Sequence, residues 1–138
     1  MGAAEEKLVL EFLSHGHGHD MDVDGMTAMM ADDIVWQVNV PTWKPVVGRE
    51  AAREELARQN TISTGDLPGN EVLNMTSNDR VVLQERTAIF EMADKRITMR
   101  LAAAFEIVDG KIAAWREYYD SVDIARQLGV DPMSLGGD

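Results

Sequence analysis

Three short polar breaks, Asn78-Asp79, Ala93-Asp94 and Asp109-Gly110, cut the second half of this 138-residue chain into four apolar runs, at about 71–77, 80–92, 96–108 and 111–120. Each break is a turn signal of the hairpin type, because Asn, Asp and Gly tolerate the left-handed backbone that a tight reversal needs. Successive strands joined this way form an antiparallel meander, and one face of such a sheet must be covered. The first half supplies the cover. Leu8, Val9, Phe12 and Leu13 share one face of a helix over about residues 4–14, and Val23, Met26, Met29 and Met30 repeat that spacing over about 22–31. Gly48 opens a third helix, GREAAREELARQ, in which Glu50 and Arg53 are spaced to pair at i, i+3. Ile34 to Val40, β-branched and stopped by Pro41, reads as a strand, and TISTGDLPGN as a loop. Asp120 or Ser121 caps a last short helix, VDIARQL, which Gly129 ends. The pattern predicts an α+β fold, with helices on one face of a mostly antiparallel sheet. No repeat or linker divides it, so one domain is expected over 1–138, with its core at about 5–128 and a tail at 129–138.

Charge and cysteine usage narrow the function classes. Lys+Arg 13 against Asp+Glu 24 gives a formal net charge of −11, which repels nucleic-acid phosphates and anionic membrane surfaces. Cys is 0, which excludes disulfides, thiolate metal sites and a cysteine nucleophile. MGAAEEKLVLEFL has no basic stretch before its apolar residues, so no secretory signal is expected, and no run is long enough to cross a membrane as a helix. A cytoplasmic location is the resulting expectation.

The order of elements is itself informative. An EEKLVLEFL helix, then MMADDIVWQ, then a GREAAREEL helix, then long strands ending in DGKIAAWREYYD, resembles the SnoaL-like, nuclear-transport-factor-like superfamily over about residues 5–128. Within it the likeness is to the limonene-1,2-epoxide hydrolase family, through Glu85-Arg86 and the DGKIAAWREYYD segment. The resemblance implies a cone-shaped curved sheet whose concave face, closed by N-terminal helices, encloses an apolar pocket. It implies a one-step hydrolysis in which one acid activates water, a second protonates the epoxide oxygen, and an arginine bridges the two. Arg86 matches that arginine, and Glu117 stands where the family carries its water-activating aspartate. Ala88 stands where the second acid falls. The family's Tyr-x-Asn pair aligns on Trp36 and Val38, with Asn39 one residue beyond. A homodimer through the outer sheet face is also implied; the sequence adds that Tyr118, Ile89 and Arg100 can lie on that face.

Strand alternation tests which residues can meet. If Arg86 faces inward, so do Val82, Gln84, Ala88 and Phe90. On the last strand Ala113, Trp115, Glu117 and Tyr119 share a face, and on the strand before it Met99, Leu101, Ala103 and Phe105 do. The inner surface is then apolar, with Arg86 and Glu117 as its only charges, which suits an apolar small-molecule substrate or ligand. The candidate catalytic set is Glu117, Arg86, Asn39 and Tyr119, and the candidate substrate-binding set is Trp36, Phe90, Met99, Leu101 and Trp115. An arginine beside Glu117 favours the ionised carboxylate that can deprotonate a water. Tyr119 is the available donor in place of the missing acid.

Plainer readings stand beside these. Arg86 and Glu117 can be an ion pair that only fixes strand register. Asn39, next to Pro41, can be turn chemistry. Trp36, with one N–H and no acceptor, can be a pocket wall. His15, His17 and His19 in their glycine-broken loop can hold a metal only if the loop curls around it, and solvation of a turn is the ordinary case, so no metal or cofactor is assigned. Asp32-Asp33 read as capping and solvating residues, and the nine Met as core filler. Three functions remain open: an epoxide hydrolase-like enzyme, a ketosteroid isomerase- or polyketide cyclase-like proton-transfer enzyme, and a non-catalytic ligand-binding homodimer.

Overall fold

The computed structural model describes residues 2–16, 21–62 and 64–135. Helices α1 (Ala3–Ser14) and α2 (Val23–Ala28) precede strand β1 (Met30–Gln37); the two-residue β2 (Val46–Val47) and helix α3 (Arg49–Ile62) follow. The meander is β3 (Thr64–Ser77), β4 (Val81–Met92), β5 (Lys95–Val108) and β6 (Lys111–Tyr119), and helix α4 (Ser121–Leu128) leads to a short 3-10 helix at Pro132–Leu135. The strands form one curved, unclosed sheet in the order β2-β1-β6-β5-β4-β3. It is mixed: β1 runs parallel to β6, and every other neighbour pair is antiparallel. Among the described residues no helix is long and apolar enough to cross a membrane.

The turn chemistry explains the meander. Ala93 and Asp94 have φ of 53° and 61°, and Asp109 and Gly110 have φ of 51° and 73°, the paired left-handed conformations that match the twist of the flanking strands. At the remaining break the Asn78 side chain acts instead, its Oδ1 accepting from the backbone N–H of Arg80 and Val81 at 2.8 Å each. Asp120 caps α4 through its carboxylate, and Gly129, at φ 73°, ends it. On the inner face, Val9, Phe12 and Leu13 of α1 meet the sheet, with the Phe12 ring edge-on to Trp115 at 5.0 Å between centroids.

Several expectations need correction. The second helix stops at Ala28 rather than continuing to about 31, because Met30 already belongs to β1, which ends at Gln37 rather than Val40. TISTGDLPGN is not a loop: α3 runs to Ile62 and β3 begins at Thr64. Glu50 does not take Arg53, whose guanidinium instead reaches Asp24 on α2 with bonds of 3.1 and 2.9 Å. Asp32 lies in β1 and forms an ion pair with Arg49 of α3. In β6, Ile112 pairs with Ile107 and Ala114 with Glu106, so Ala113 is the extra residue of a bulge. Ile112, fully buried, takes the inward place expected of Ala113.

Candidate active site

The inner surface of β4, β5 and β6 and the helices above it enclose a cavity of about 400 Å³. Its wall is mainly apolar, from Trp36, Met26, Leu56, Phe90, Met99 and Trp115 among others. Into it project Arg86 from β4 and Glu117 from β6, which are 4% and 6% exposed. The two strands are separated by β5, and the length of the arginine bridges that gap: Arg86 Nη2 donates to Glu117 Oε2. The indole N–H of Trp115, two residues before Glu117 on the same face, donates to that same oxygen at 3.1 Å. Two donors therefore hold Oε2. Among the described residues none donates to Oε1.

The remaining edges of the guanidinium are also filled. Nε donates to Asn70 Oδ1 at 2.9 Å and Nη1 to Gln84 Oε1 at 3.0 Å, and the Gln84 amide in turn rests on the Met75 sulfur at 3.6 Å. Arg86 thus has one carboxylate partner and two neutral ones. A charge this deeply buried is costly unless paired and hydrogen-bonded, and this arrangement supplies both. Breaking it strands a charge, so the members of this branched network depend on one another.

The other candidates fall into distinct roles. Tyr119 lines the cavity beside Glu117, and burial, with the Glu117 charge adding to it, pushes the phenol well above its ordinary range. It remains a neutral hydrogen-bond donor under ordinary conditions. Trp36 stacks on Trp115 with centroids 4.4 Å apart and planes 2° from parallel, as β1 runs beside β6 with these two residues in register. Its indole N–H is buried without a partner. Phe90 and Met99 line the cavity, while Leu101 packs in the core and is not part of that lining. Asn39 is buried outside the cavity lining, and its Oδ1 accepts the backbone N–H of Tyr119 at 3.3 Å. Its neighbour Val40 donates its N–H to the Glu117 carbonyl at 2.9 Å. Asn39 therefore braces the strand that carries Glu117 rather than facing the cavity. Of the histidine loop, His15 lies 3.0 Å from Asp22 through Nδ1 and Oδ2, and His17 and His19 fall outside the described residues.

Two contributors were not visible from the sequence. Asn70 ends the TISTGDLPGN stretch, whose Gly and Pro read as a loop, and only the cross-strand register of β3 with β4 brings it to Arg86. Trp115 reads as a wall until its N–H is seen on the carboxylate; the i, i+2 spacing to Glu117 was the available signal.

Comparison with known proteins places these features in context. The model of the SnoaL-like domain matches residues 10–115. Over 109 residues, 78% of this chain and 68% of the relative, the sequence is 29% identical to epoxide hydrolase EphG of Mycobacterium tuberculosis. The fold is similar to that of an M. tuberculosis LEH-like epoxide hydrolase, with a TM-score of 0.74, 25% identity, and 88% and 86% of the two chains covered. It is also similar to SalBIII, an epoxide hydrolase/cyclase-like enzyme of pyran ring formation in salinomycin, with a TM-score of 0.73, 19% identity, and 89% and 97% covered.

Proposed function

The chain belongs to the SnoaL-like domain family, and from that premise we propose that its cavity adds water to an epoxide or similarly strained ether on an apolar substrate. The observation that carries this reading is the two-sided use of Glu117: Arg86 and Trp115 hold Oε2, while Oε1 is left toward an apolar cavity. A carboxylate fixed in this way can take a proton from a water placed between it and the substrate. The water oxygen bonds to an epoxide carbon, the ring C–O bond breaks, and its electron pair stays on oxygen. The proton taken by Glu117 then passes to that alkoxide, giving a diol and restoring the carboxylate. Similarity in sequence to epoxide hydrolase EphG and in fold to an LEH-like epoxide hydrolase supports the same chemistry.

A second reading is favoured by two observations: Ala88 provides no acid, and Tyr119 is held neutral. A lone carboxylate base beside neutral donors also suits proton transfer next to a carbonyl, with the donors on the enolate oxygen. The two separate in one experiment. The purified protein is offered a panel of aryl and alicyclic epoxides and, in parallel, β,γ-unsaturated ketones, with products analysed by mass. The hydrolase reading requires a gain of one water on an epoxide and loss of that activity in Glu117→Gln. Isomerised ketone with no epoxide turnover would replace it with the second reading.

A further inference from the structure

Opening an epoxide places negative charge on its oxygen, and the cavity must meet that charge with a donor. We infer that the donor is the side-chain N–H of Asn70, which binds the oxygen of the substrate beside Ala88. The inference rests on the hydrolase reading for the nature of that oxygen.

The orientation of the Asn70 amide is not arbitrary. Arg86 can only donate, so the atom facing its Nε at 2.9 Å must be Oδ1, and Nδ2 is turned away from the guanidinium. Among the described residues nothing accepts from Nδ2. Donation from a cation into Oδ1 polarises the amide and strengthens the N–H as a donor. The position is equally constrained. Asn70 and Ala88 are direct partners across β3 and β4, so their Cβ atoms are neighbours on the cavity side, and both line the cavity. A methyl group at Ala88 leaves open the space beside the Asn70 amide. Nε and Nη2 form one edge of the guanidinium, so Asn70 and Glu117 are gripped side by side by a single planar group. One residue thereby sets the spacing of base and donor.

The alternatives serve less well. The Trp36 N–H is closed off from solvent-sized access. Tyr119 stands on the strand of the base itself, two residues away. Asn60, on α3, bonds to neither Arg86 nor Glu117 among the described residues and so is not held in register with the base, and Arg58, also on α3, is held by Glu55 through bonds of 3.0 and 2.6 Å. A primary amide binds the developing alkoxide without giving up a proton. The site therefore favours epoxides that open readily, with an aryl, vinyl or tertiary carbon beside oxygen.

The test uses binding, so that it stands whether or not turnover occurs. In the parent protein, chilled so that titration outpaces any turnover, styrene oxide and styrene, alike in shape and differing in the oxygen, are titrated and followed by the side-chain amide signals in nitrogen–proton correlation spectra. Styrene oxide is expected to bind roughly fivefold more tightly than styrene, the factor that one net hydrogen bond supplies, and to move the Asn70 NH₂ signal. Asn70→Asp at pH 8 keeps an oxygen for Arg86 but removes the N–H, and Asn70→Leu removes both; each should erase the preference while leaving styrene binding unchanged. Equal affinity for the two probes, absence of styrene oxide binding, an unmoved Asn70 signal at saturation, or a preference retained in Asn70→Asp would overturn the assignment. A merely structural Asn70 predicts that retained preference, since Asp still satisfies Arg86.

Discussion

Replacing Arg86 by Met removes the cation and leaves the Glu117 carboxylate buried at 6% exposure with the Trp115 N–H as its remaining donor. It also strips Asn70 and Gln84 of the N–H groups their carbonyl oxygens accept. Removing one partner of a buried pair costs about 3–5 kcal/mol, a large part of the roughly 5–15 kcal/mol that holds a domain folded. With a urea slope of about 2 kcal/mol per molar, the unfolding midpoint should fall by roughly 2 M. Removing both charges gives a different result, because an apolar pair of similar volume is often neutral or stabilising by about 1–4 kcal/mol. Arg86→Met with Glu117→Leu should therefore recover most or all of the lost stability. Urea unfolding followed by tryptophan fluorescence measures both variants, since Trp115 and Trp36 sit at the site. A loss below about 1 kcal/mol in the single variant, the range of an exposed ion pair, would mean that Arg86 and Glu117 are not a desolvated pair. So would an undiminished loss in the double variant.

Further expectations follow from the same geometry. On the hydrolase reading, Ala88→Asp places a carboxyl opposite Asn70 and should raise epoxide hydrolysis by about 100-fold, the low end of what general acid assistance provides; steady-state rates on the epoxide panel check it. Tyr119 keeps its proton in the folded state above the range where a free phenol loses it. The folded state therefore binds more protons, and the Tyr119 contribution to stability, intact below about pH 10, should be lost as pH rises beyond that point. Alkaline unfolding of Tyr119→Phe beside the parent protein measures it, the variant showing the shallower loss. Asp120→Ala removes the cap at the start of α4, where the carboxylate accepts from Val122 at 2.9 Å, and should cost about 1 kcal/mol in thermal or urea unfolding with little effect on the cavity.

Local signals carried much of the architecture into the sequence. Hairpin turns depend on a few residues with known backbone preferences, and Ala93-Asp94 and Asp109-Gly110 adopt the left-handed pairs that such breaks imply. The alternation that put Arg86, Gln84 and Val82 on one face depends only on the pleat, and all three are buried. What failed was decided by pairing rather than by local preference. Residues 64–70 carry Gly and Pro, which argue against a strand, yet β3 is an edge strand with a bulge, where proline and an interrupted ladder are tolerated. Asn70 was hidden for that reason. The bulge at Ala113 likewise belongs to the partner strand as much as to its own sequence, and it moved the inward position to Ile112. Asn39 looked like a site residue because of its place after β1, but its side chain serves the backbone of Tyr119.

In the proposed hydrolysis Glu117 delivers water directly to the substrate. A single turnover of an aryl epoxide with enzyme in excess, in water enriched in heavy oxygen, tests it with one mass measurement of diol and protein. Direct delivery puts one heavy oxygen in the diol from the first turnover and none in the Glu117 side chain. Heavy oxygen in the Glu117 carboxylate with unlabelled first-turnover diol, or no diol at all, would contradict it.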